Sequence, residues 1–370
     1  MEQIFEFSDH LGPAKIIHVH EPSVNLKAIL VVDNVAMGPS IGGLRMAEDV
    51  STEECFRLAR AMTLKNAAAG LRHGGGKSVL FGDPKMPKDK KEQLIRAMAC
   101  SLADIHEYIF GPDMGTDEEC MAWVHDEIGR SVGLPRELGG IPLDELGATG
   151  WGMSSATDVA LKYCDLDING ARVVVQGFGS VGMHAARFLK DKGAVLLAAA
   201  DSDGLVIDAQ GLDVDALIAH KQSGQPVNTF SSGEKRNRNA VIDIECDIWI
   251  PAARPDVINK DNVDRLKTKL IVQGANIPIT LEAEERLYQN SVVIIPDFIA
   301  NAGGVICAAM EYQNASEKVV FDTISEKIGF NTEQVLAASK TEQISPRAAA
   351  SKLTVERVEK AMATRRWSIF

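Results

Sequence analysis

The first third of the chain alternates between strand-like and helix-like patterns of apolar residues. Residues 14–20 and 26–33 are rich in branched aliphatic side chains and are separated by a Glu-Pro-Ser turn, which predicts two strands. Ser51 is followed three positions later by Glu54, a pairing typical of a helix N-terminus. The helix that begins there is predicted to end just before Gly70.

Two further amphipathic helices follow. One carries its apolar residues on a single face, and the other begins after Thr116 with three acidic residues in its first turn, where the helix dipole favours negative charge. The apolar face of the former comprises Leu94, Ile95, Met98, Leu102 and Ile105.

From residue 172 onward the pattern changes to strand, helix, strand, which predicts a parallel sheet covered by helices. Strands are expected at 172–176, 194–200, 247–250, 269–273 and 292–295, with a helix at 183–190. The glycine-rich segment 147–152 is loose enough in backbone to be a hinge, and the tail from about residue 333 is predicted to be helical. At 370 residues the chain is too long for one core, so we expect an α/β protein of two domains.

A glycine-rich turn follows the strand at 172–176 and opens the next helix. Gly177, Gly179 and Gly182 have the spacing G-x-G-x-x-G. The first glycine allows the tight turn, the second lets a pyrophosphate approach the backbone, and the third permits close packing of helix on strand. The turn therefore predicts a dinucleotide site, to which Ser180 and Val181 at the helix N-terminus also belong.

An acidic residue ends the following strand. Asp201 lies at the distance expected for a carboxylate that binds the adenosine ribose, with Ser202 beside it and Asp203 as the alternative. A carboxylate there disfavours a 2′-phosphate, and no Lys or Arg occurs between Asp201 and His220. NAD is the predicted cofactor, with NADP as the alternative.

Composition and charge narrow the partners. The chain has 39 Lys and Arg against 51 Asp and Glu, and this net charge of −12 would repel nucleic acid and anionic lipid. The longest apolar runs are strand-length, and no cationic, apolar leader opens the sequence. The six cysteines form no C-x-x-C pair, and no metal-ligand spacing occurs. We expect a cytoplasmic protein that acts on small molecules, without nucleic acid, membrane or metal.

Two lysines lie in unusual places. Lys77 follows three consecutive glycines, which bring bare backbone near a ligand, and Lys65 lies late in the first helix. Lysines are mostly surface residues, so a solvated role for each stays open from the residues alone. For Arg45, a substrate contact and a structural ion pair are both open.

Eight short motifs are spread in order along nearly the whole chain. They are GPSIGGLR at 38–45, KNAAAGL at 65–71, GGGK at 74–77, GPDMGT at 111–116, ATG at 148–150, the nucleotide turn, GAN at 274–276 and NAGGV at 301–305. Together they resemble the glutamate/leucine/phenylalanine/valine dehydrogenase family. The resemblance implies an enzyme that oxidatively and reversibly deaminates an L-amino acid to a 2-oxo acid and ammonia with NAD or NADP.

The resemblance also implies residue roles. Lys65 matches the lysine that holds the substrate α-carboxylate, helped by backbone amides near Gly75. Lys77 matches the lysine of lowered pKa that activates water, and Asp113 matches the carboxylate that exchanges protons with the substrate amine. The further cofactor contacts implied are Thr149, Ala252, Asn276 and Asn301.

The same resemblance implies a domain plan. Residues 1–147, joined by C-terminal helices at 333–370 that return to the first domain, are the implied substrate-binding and oligomerisation domain. Residues 148–332 are the implied Rossmann-type, doubly wound nucleotide domain. Family members form closed oligomers, and the N-terminal strands offer edges that pair between subunits, so a homo-oligomer is expected.

Two positions distinguish this chain from the glutamate-using members, which place a lysine before Gly-Gly-x-Arg and a serine three positions after the valine of Ala-Gly-Gly-Val. Ile41 and Ala308 stand there instead, so a side-chain carboxylate would be left unpaired. An apolar pocket for leucine, valine or phenylalanine is predicted. Its substrate-binding residues, besides Lys65 and Gly75, are Ile41, Gly43, Met62, Gly111, Val305 and Ala308.

Two alternatives stay open. Segments such as 121–124 look closer to glutamate-type members, so a glutamate dehydrogenase that holds the side-chain carboxylate in another way is one. A non-catalytic regulatory or assembly subunit is the other, although retention of Lys65, Lys77 and Asp113 together argues against a decayed site.

Overall fold

The computed structural model of the chain describes residues 5–365, which divide into two compact units. The first comprises the described residues up to Pro142, Val305–Val320 and those from Ser351 onward, and the second comprises Leu143–Gly304 and Phe321–Ala350. The predicted domains divide the chain elsewhere, at 147 and 333, since 305–320 pack with the first unit and 321–350 with the second. Residues 1–4 and 366–370 of that plan lie outside the described part. The functional division stays a prediction.

Twelve strands and twelve α-helices form in the described residues. Up to residue 142 they are β1 (Lys15–Glu21), β2 (Leu26–Asn34), β3 (Ser40–Ala47), α1 (Thr52–Ala68), β4 (Gly74–Phe81), α2 (Lys88–Ser101), β5 (Tyr108–Pro112) and α3 (Glu118–Ile128). From there to residue 222 they are α4 (Leu143–Leu146), α5 (Ala148–Cys164), β6 (Arg172–Gln176), α6 (Ser180–Asp191), β7 (Val195–Ala200), β8 (Leu205–Ile207) and α7 (Val214–Gln222). The remainder are β9 (Glu234–Arg236), β10 (Ile248–Pro251), β11 (Leu270–Val272), α8 (Leu281–Gln289), β12 (Val293–Ile295), α9 (Asp297–Ala300), α10 (Gly303–Tyr312), α11 (Glu317–Glu342) and α12 (Pro346–Thr364).

The first unit is built on a five-stranded mixed sheet of order β1-β2-β4-β3-β5. The pairs β1–β2 and β2–β4 are antiparallel, whereas β3 runs parallel to both β4 and β5. Strand residues alternate between two faces: Leu30 and Phe110 pack in the core cluster that also contains residues of α2 and α3, and Val31 and Val79 pack against α1. The α1 face is the one that carries the charged site described below.

The helix boundaries of this unit follow local signals. Ser51 Oγ accepts a hydrogen bond from Glu54 N at 3.1 Å, and Gly70, just beyond α1, has φ +64°, so the predicted capping and stop are confirmed. The helix predicted over residues 94–105 ends earlier, at Ser101, because the chain turns after it; Leu102 nevertheless stays in the core.

The C-terminal helix α12 packs into the first unit, as predicted. Val358 forms a small cluster with Leu11 and Ala67, and the Arg357 guanidinium donates to the carbonyls of Ala67 and Ala68 at 3.1 and 2.9 Å. These carbonyls lie at the end of α1, where Ala67 O also accepts a hydrogen bond from Gly70 N at 3.0 Å.

The second unit contains a seven-stranded sheet of order β12-β11-β10-β6-β7-β8-β9. The pairs from β12 to β7 are parallel and the last two are antiparallel, which confirms the predicted Rossmann-type parallel sheet. None of the described helices is both long and apolar enough to cross a lipid bilayer.

The predicted hinge at 147–152 is wrong as a loop, because α5 begins at Ala148. Its glycines permit close packing: a Cβ at Gly152 would lie 2.4 Å from Ile328 Cδ1, and one at Gly150 would lie 2.7 Å from Ala185 N. Because these glycines have no side chain, neighbouring helices pack closely against α5, and the segment is helical and not a loose loop.

Candidate active site

Three charged side chains meet on the α1 face of the first sheet. Lys77 lies on β4, Arg45 on the adjacent β3, and Asp113 follows β5. Lys77 Nζ is 3.0 Å from Asp113 Oδ2, and Arg45 Nε donates to the same oxygen at 2.8 Å. The two residues predicted to be catalytic, Lys77 and Asp113, are thus in direct contact, and Arg45 forms an ion pair.

Burial and charge shift the pKa values of this cluster. The Lys77 side chain is only 6% exposed, and burial lowers its pKa; the charge of Asp113 opposes this shift and that of Arg45 adds to it. Burial alone would raise the pKa of Asp113, but the charge of Lys77 and the hydrogen bond from Arg45 outweigh it, so this pKa lies below its ordinary value. The arrangement favours an ionised carboxylate beside a lysine that loses its proton more easily than usual.

Glycines make room for the cluster. A Cβ at Gly43 would lie 2.7 Å from Asp113 Cβ and 3.0 Å from Lys77 Nζ. In the run before Lys77, a Cβ at Gly75 would lie 1.9 Å from Thr63 N, and one at Gly76 would lie 2.8 Å from the Tyr108 ring. At these last two positions the space is filled by α1 and by a neighbouring side chain.

Side chains near the end of α1 form hydrogen bonds to β4 and β2. Asn66 Nδ2 donates to Gly74 O at 2.7 Å, and Thr63 Oγ1 donates to the buried carboxylate of Asp33 at 2.6 Å. Lys65 and Met62, the predicted substrate contacts on this helix, are half-buried beside these anchors.

The remaining predicted pocket residues come from β3, β5 and α10. Ile41 is 5% exposed and pairs in register with Gly75 and Ile109, and Gly111 pairs with Gly43. Val305 and Ala308 are half-buried on α10, whose residues from Val305 onward belong to the first unit.

Glu311 fixes α10 within this unit. Its carboxylate is buried and accepts hydrogen bonds from Gly133 N at 2.7 Å, Leu134 N at 3.1 Å and Ile141 N at 2.9 Å. The sequence does not predict this role of Glu311, because its three backbone partners are distant along the chain.

The second unit contains a cavity of about 970 Å³ at the ends of its parallel strands. Its lining includes Gly177, Gly179, Asp201, Ser202 and Ala252. The three glycines have the geometry that a dinucleotide turn requires: Gly177 has φ +103°, a Cβ at Gly179 would meet no atom within 4 Å, and a Cβ at Gly182 would lie 2.0 Å from Gly177 O. The described residues therefore fit a dinucleotide, with open space at the position where a pyrophosphate is expected.

Asp201 is engaged by the protein itself. Its Oδ1 accepts from the backbone N–H groups of Asp203 and Gly204, and its Oδ2 accepts from Val227 N and Lys221 Nζ. A carboxylate has about four acceptor sites, so little capacity is left for ribose hydroxyls. The prediction of NAD over NADP depends on the Asp201 carboxylate, and its observed hydrogen bonds favour the binding of neither cofactor.

Other predicted cofactor contacts cluster near the ends of β11 and β12. Asn301 Nδ2 donates to Asn276 Oδ1 at 3.0 Å and to Gly274 O at 3.2 Å, while Asn301 Oδ1 is buried without a hydrogen-bond partner in the described residues. The loop is held from behind, because Asp297 Oδ2 accepts from Ile277 N at 2.9 Å.

The remaining three predicted cofactor-binding residues also lie in the second unit. Thr149 is in the first turn of α5, and Ser180 and Val181 begin α6. Ser180 Oγ donates to Asp144 O at 3.2 Å, and Val181 Cγ1 would lie 3.1 Å from a Cβ placed on Gly274.

Comparisons with known proteins agree with this architecture. Residues 139–366 match the profile of the Glutamate/Leucine/Phenylalanine/Valine dehydrogenase family, and residues 6–130 match the Glu/Leu/Phe/Val dehydrogenase dimerisation domain. Glutamate dehydrogenase from Aeropyrum pernix is 36% identical over 90% of this chain and 85% of its own. NADP-specific glutamate dehydrogenase from Saccharolobus shibatae is 36% identical over 90% of this chain and 83% of its own.

Solved structures show the same fold. A hetero-hexameric glutamate dehydrogenase from Thermus thermophilus, in a Leu-bound form, superposes with a TM-score of 0.82 at 27% identity over 96% of this chain and 91% of its own. L-tryptophan dehydrogenase from Nostoc punctiforme superposes with a TM-score of 0.78 at 21% identity over 97% of this chain and 99% of its own, which bears on the fold alone.

Both parts of the family profile match, and the sequence relatives align along most of the chain. The protein is an enzyme, an amino acid dehydrogenase that uses NAD or NADP. These findings confirm the resemblance seen in the motifs: the chain belongs to the glutamate/leucine/phenylalanine/valine dehydrogenase family.

Proposed function

We propose that this enzyme oxidatively deaminates an L-amino acid with an uncharged side chain, of the leucine, valine or phenylalanine type, to the 2-oxo acid and ammonia. In this proposal Lys77 activates water, Asp113 exchanges protons with the substrate amine and Lys65 binds the substrate carboxylate. The observation that carries the catalytic part is the 3.0 Å contact between a buried lysine of lowered pKa and an ionised aspartate.

Oxidative deamination uses Lys65, Asp113 and Lys77 one after another. The α-carboxylate of the substrate requires a cation, which Lys65 supplies. The α-ammonium group of the substrate must lose a proton, which Asp113 accepts. When bound, NAD or NADP would supply the acceptor for the hydride that leaves Cα. Water then attacks the iminium carbon of the oxidised substrate, and a neutral Lys77 takes a proton from that water. Asp113 returns its proton to the nitrogen, and the hydroxyl group loses its proton as the C–N bond breaks, so that ammonia leaves and the 2-oxo acid forms.

Among the described residues assigned to the pocket, none supplies a spare cation for a charged substrate side chain. A glutamate substrate carries a second carboxylate, which is costly to bury without a partner. Ile41 is buried where glutamate-using members carry a lysine, and the cations of Arg45 and Lys77 are already bound to Asp113. An apolar side chain against Ile41, Met62 and Gly111 has no such cost.

Glutamate dehydrogenase is the second candidate, because the 36% identical relatives carry that name. The two candidates are separated by assaying reductive amination with ammonia, NADH or NADPH, and a panel of 2-oxo acids that includes 2-oxoglutarate. Highest kcat/KM with a branched or aromatic 2-oxo acid supports the proposal. Preference for 2-oxoglutarate overturns it in favour of glutamate.

A single substitution tests the pocket assignment. Ile41→Lys restores a cation before Gly42, so kcat/KM for 2-oxoglutarate should rise relative to the apolar 2-oxo acid. Ile41→Met is the matched control, because it changes the shape of the side chain without adding charge. An unchanged substrate ratio in Ile41→Lys would count against the pocket.

We also propose that the enzyme is a homo-oligomer. The first unit matches a dimerisation-domain profile, and β1 ends its sheet with one edge unpaired in the described residues. Light scattering coupled to size-exclusion chromatography should give a mass of at least two chains of 40.0 kDa each. A mass equal to one chain contradicts the proposal.

A further inference from the structure

Arg45 has no role in the chemistry proposed above, yet it binds the same oxygen as the catalytic lysine. Its Nε is 2.8 Å from Asp113 Oδ2, and Lys77 Nζ is 3.0 Å from that oxygen. The other oxygen, Oδ1, accepts no hydrogen bond from residues 5–365, and the Asp113 side chain is 25% exposed. Two cations thus share one oxygen while its neighbour stays available to a ligand.

Arg45 is held in place from α1. Its Nη1 donates to Glu54 Oε1 at 2.5 Å, and Glu54 N in turn donates to the capping hydroxyl of Ser51. A guanidinium is planar and donates in fixed directions, so a bridge between two carboxylates fixes the orientation of both. The direction of the Asp113 carboxylate is therefore set by β3 and by the first turn of α1.

We propose that Arg45 is a positioning residue for the reaction: by holding Asp113 Oδ2, it leaves Oδ1 free for the substrate ammonium group and prevents Asp113 from pairing with Lys77 alone. Arg45 does not touch the substrate in this assignment. The inference rests on the proposed roles of Asp113 and Lys77, and the experiment below separates its failure from theirs.

The effect of removing Arg45 has a defined sign. Burial lowers the pKa of Lys77, Asp113 raises it and Arg45 lowers it. Without Arg45, Asp113 pairs more strongly with Lys77, so the pKa of Lys77 rises and the lysine becomes neutral only at higher pH. A base that must be neutral then needs a higher pH to work.

Other titratable groups lie on the elements packed against β4, and Arg45→Gln removes a bound partner only from Glu54 among them. They are Glu54, Cys55 and Lys65 on α1, and the ion pair of Asp33 on β2 with Arg60 on α1. Of these, the Cys55 thiol is buried and its Sγ is 3.2 Å from Lys77 O.

The test compares Arg45→Gln with Arg60→Gln. Arg60 is a matched control because it also bridges two carboxylates, Asp9 and Asp33, neither of which forms an ion pair with Lys77. For the best substrate of the panel, kcat and kcat/KM of oxidative deamination are measured across pH. Arg45→Gln should lower kcat at neutral pH about ten- to a hundredfold, the cost of a misplaced catalytic group, and move the rising limb to higher pH. Arg60→Gln should lower the Tm and leave the limb in place.

A second variant keeps the proposal testable if Arg45→Gln does not fold. Arg45→Lys restores the charge without the planar fork, so the limb should stay near that of the parent while KM for the amino acid rises. A parent-like KM in Arg45→Lys, or a parent-like pH profile in Arg45→Gln, overturns the inference. If Lys77→Met or Asp113→Asn retains turnover, the proposed catalytic roles fail; if both lose it and only the Arg45 profile is unshifted, this inference alone fails.

Discussion

The candidate sites of the two units are built in opposite ways. In the first unit, Lys77 and Arg45 both bind Asp113 Oδ2, so the site depends on contacts between charged side chains. In the second unit, the nucleotide turn depends on missing side chains: at Gly177 and Gly182 the backbone occupies the space a Cβ would need, and at Gly179 that space is open.

This difference determines how each site fails. Replacing a charged residue in the first unit changes the protonation of its partners while the backbone can stay in place. Adding a methyl group to the glycine turn moves the backbone itself, or blocks the ligand, without changing any charge. Mutations in the first unit should therefore act on kcat and its pH dependence, and those in the second on cofactor affinity and stability.

The largest expected effect comes from Lys77→Met. Loss of the proposed base should lower kcat by about 10²–10⁴-fold, the usual contribution of general acid–base catalysis. Because Lys77 belongs to the first unit, the Kd for NADH or NADPH, measured by fluorescence titration, should not change. Lys27→Met, at the exposed position near the start of β2, is the control and should retain full turnover. A large loss of cofactor binding in Lys77→Met would show that the two sites are not separable in this way.

Gly43→Ala should have the next largest effect. The added Cβ would lie 2.7 Å from Asp113 Cβ and 3.0 Å from Lys77 Nζ, so the pair must shift. We expect kcat/KM for the amino acid to fall about ten- to a hundredfold, because small displacements of reacting groups are costly. Parent-like kcat/KM in a folded Gly43→Ala enzyme would mean that the Lys77–Asp113 contact is not needed for the reaction.

Sequence predicted most where the signal and its partner are close along the chain. The Ser51 cap is recognisable because Glu54, whose N–H donates to it, lies three positions away, and the nucleotide turn because Gly182, which packs against Gly177 O, lies five positions away. Local rules were sufficient for these elements.

Features whose partners are distant along the chain are not visible in the sequence. Glycines at 147–152 suggested a hinge, because a sequence cannot distinguish a loose backbone from one that another helix approaches; the partner of Gly152 is Ile328. Asp201 suggested a ribose contact, because neither Lys221 nor Val227 is visibly linked to it in the sequence. Arg45 was ambiguous for the same reason, since its two carboxylates come from α1 and from the end of β5.

Gly182→Ala should test the second unit with an effect on stability. Its Cβ would lie 2.0 Å from Gly177 O, a backbone atom that cannot move alone, so the free energy of unfolding should fall by about 1–3 kcal/mol despite the better helix propensity of alanine. Gly179→Ala is the matched control: its Cβ meets no atom within 4 Å, so the Tm should hold while cofactor affinity falls. Equal Tm values for both variants would contradict the packing role of Gly182.

Asp201→Asn should have the smallest effect on the cofactor and a measurable one on stability. Both carboxylate oxygens are occupied by Lys221 and by backbone N–H groups, so the ratio of NADH to NADPH affinity should change by less than about threefold, or about 0.6 kcal/mol. Burial alone would raise the pKa of Asp201, but the hydrogen bond from Lys221 and those from the backbone lower it overall.

A depressed folded-state pKa contributes stability that is fully present above the unfolded-state pKa of about 3.9 and is lost as pH falls through the folded-state value. The parent should thus be more stable than Asp201→Asn at neutral pH, and urea titrations at successively lower pH should show this difference shrinking only below about pH 4. If instead NADH affinity falls more than about tenfold with no change in stability, the carboxylate binds the ribose after all, and the second unit also relies on a charged side chain for its ligand.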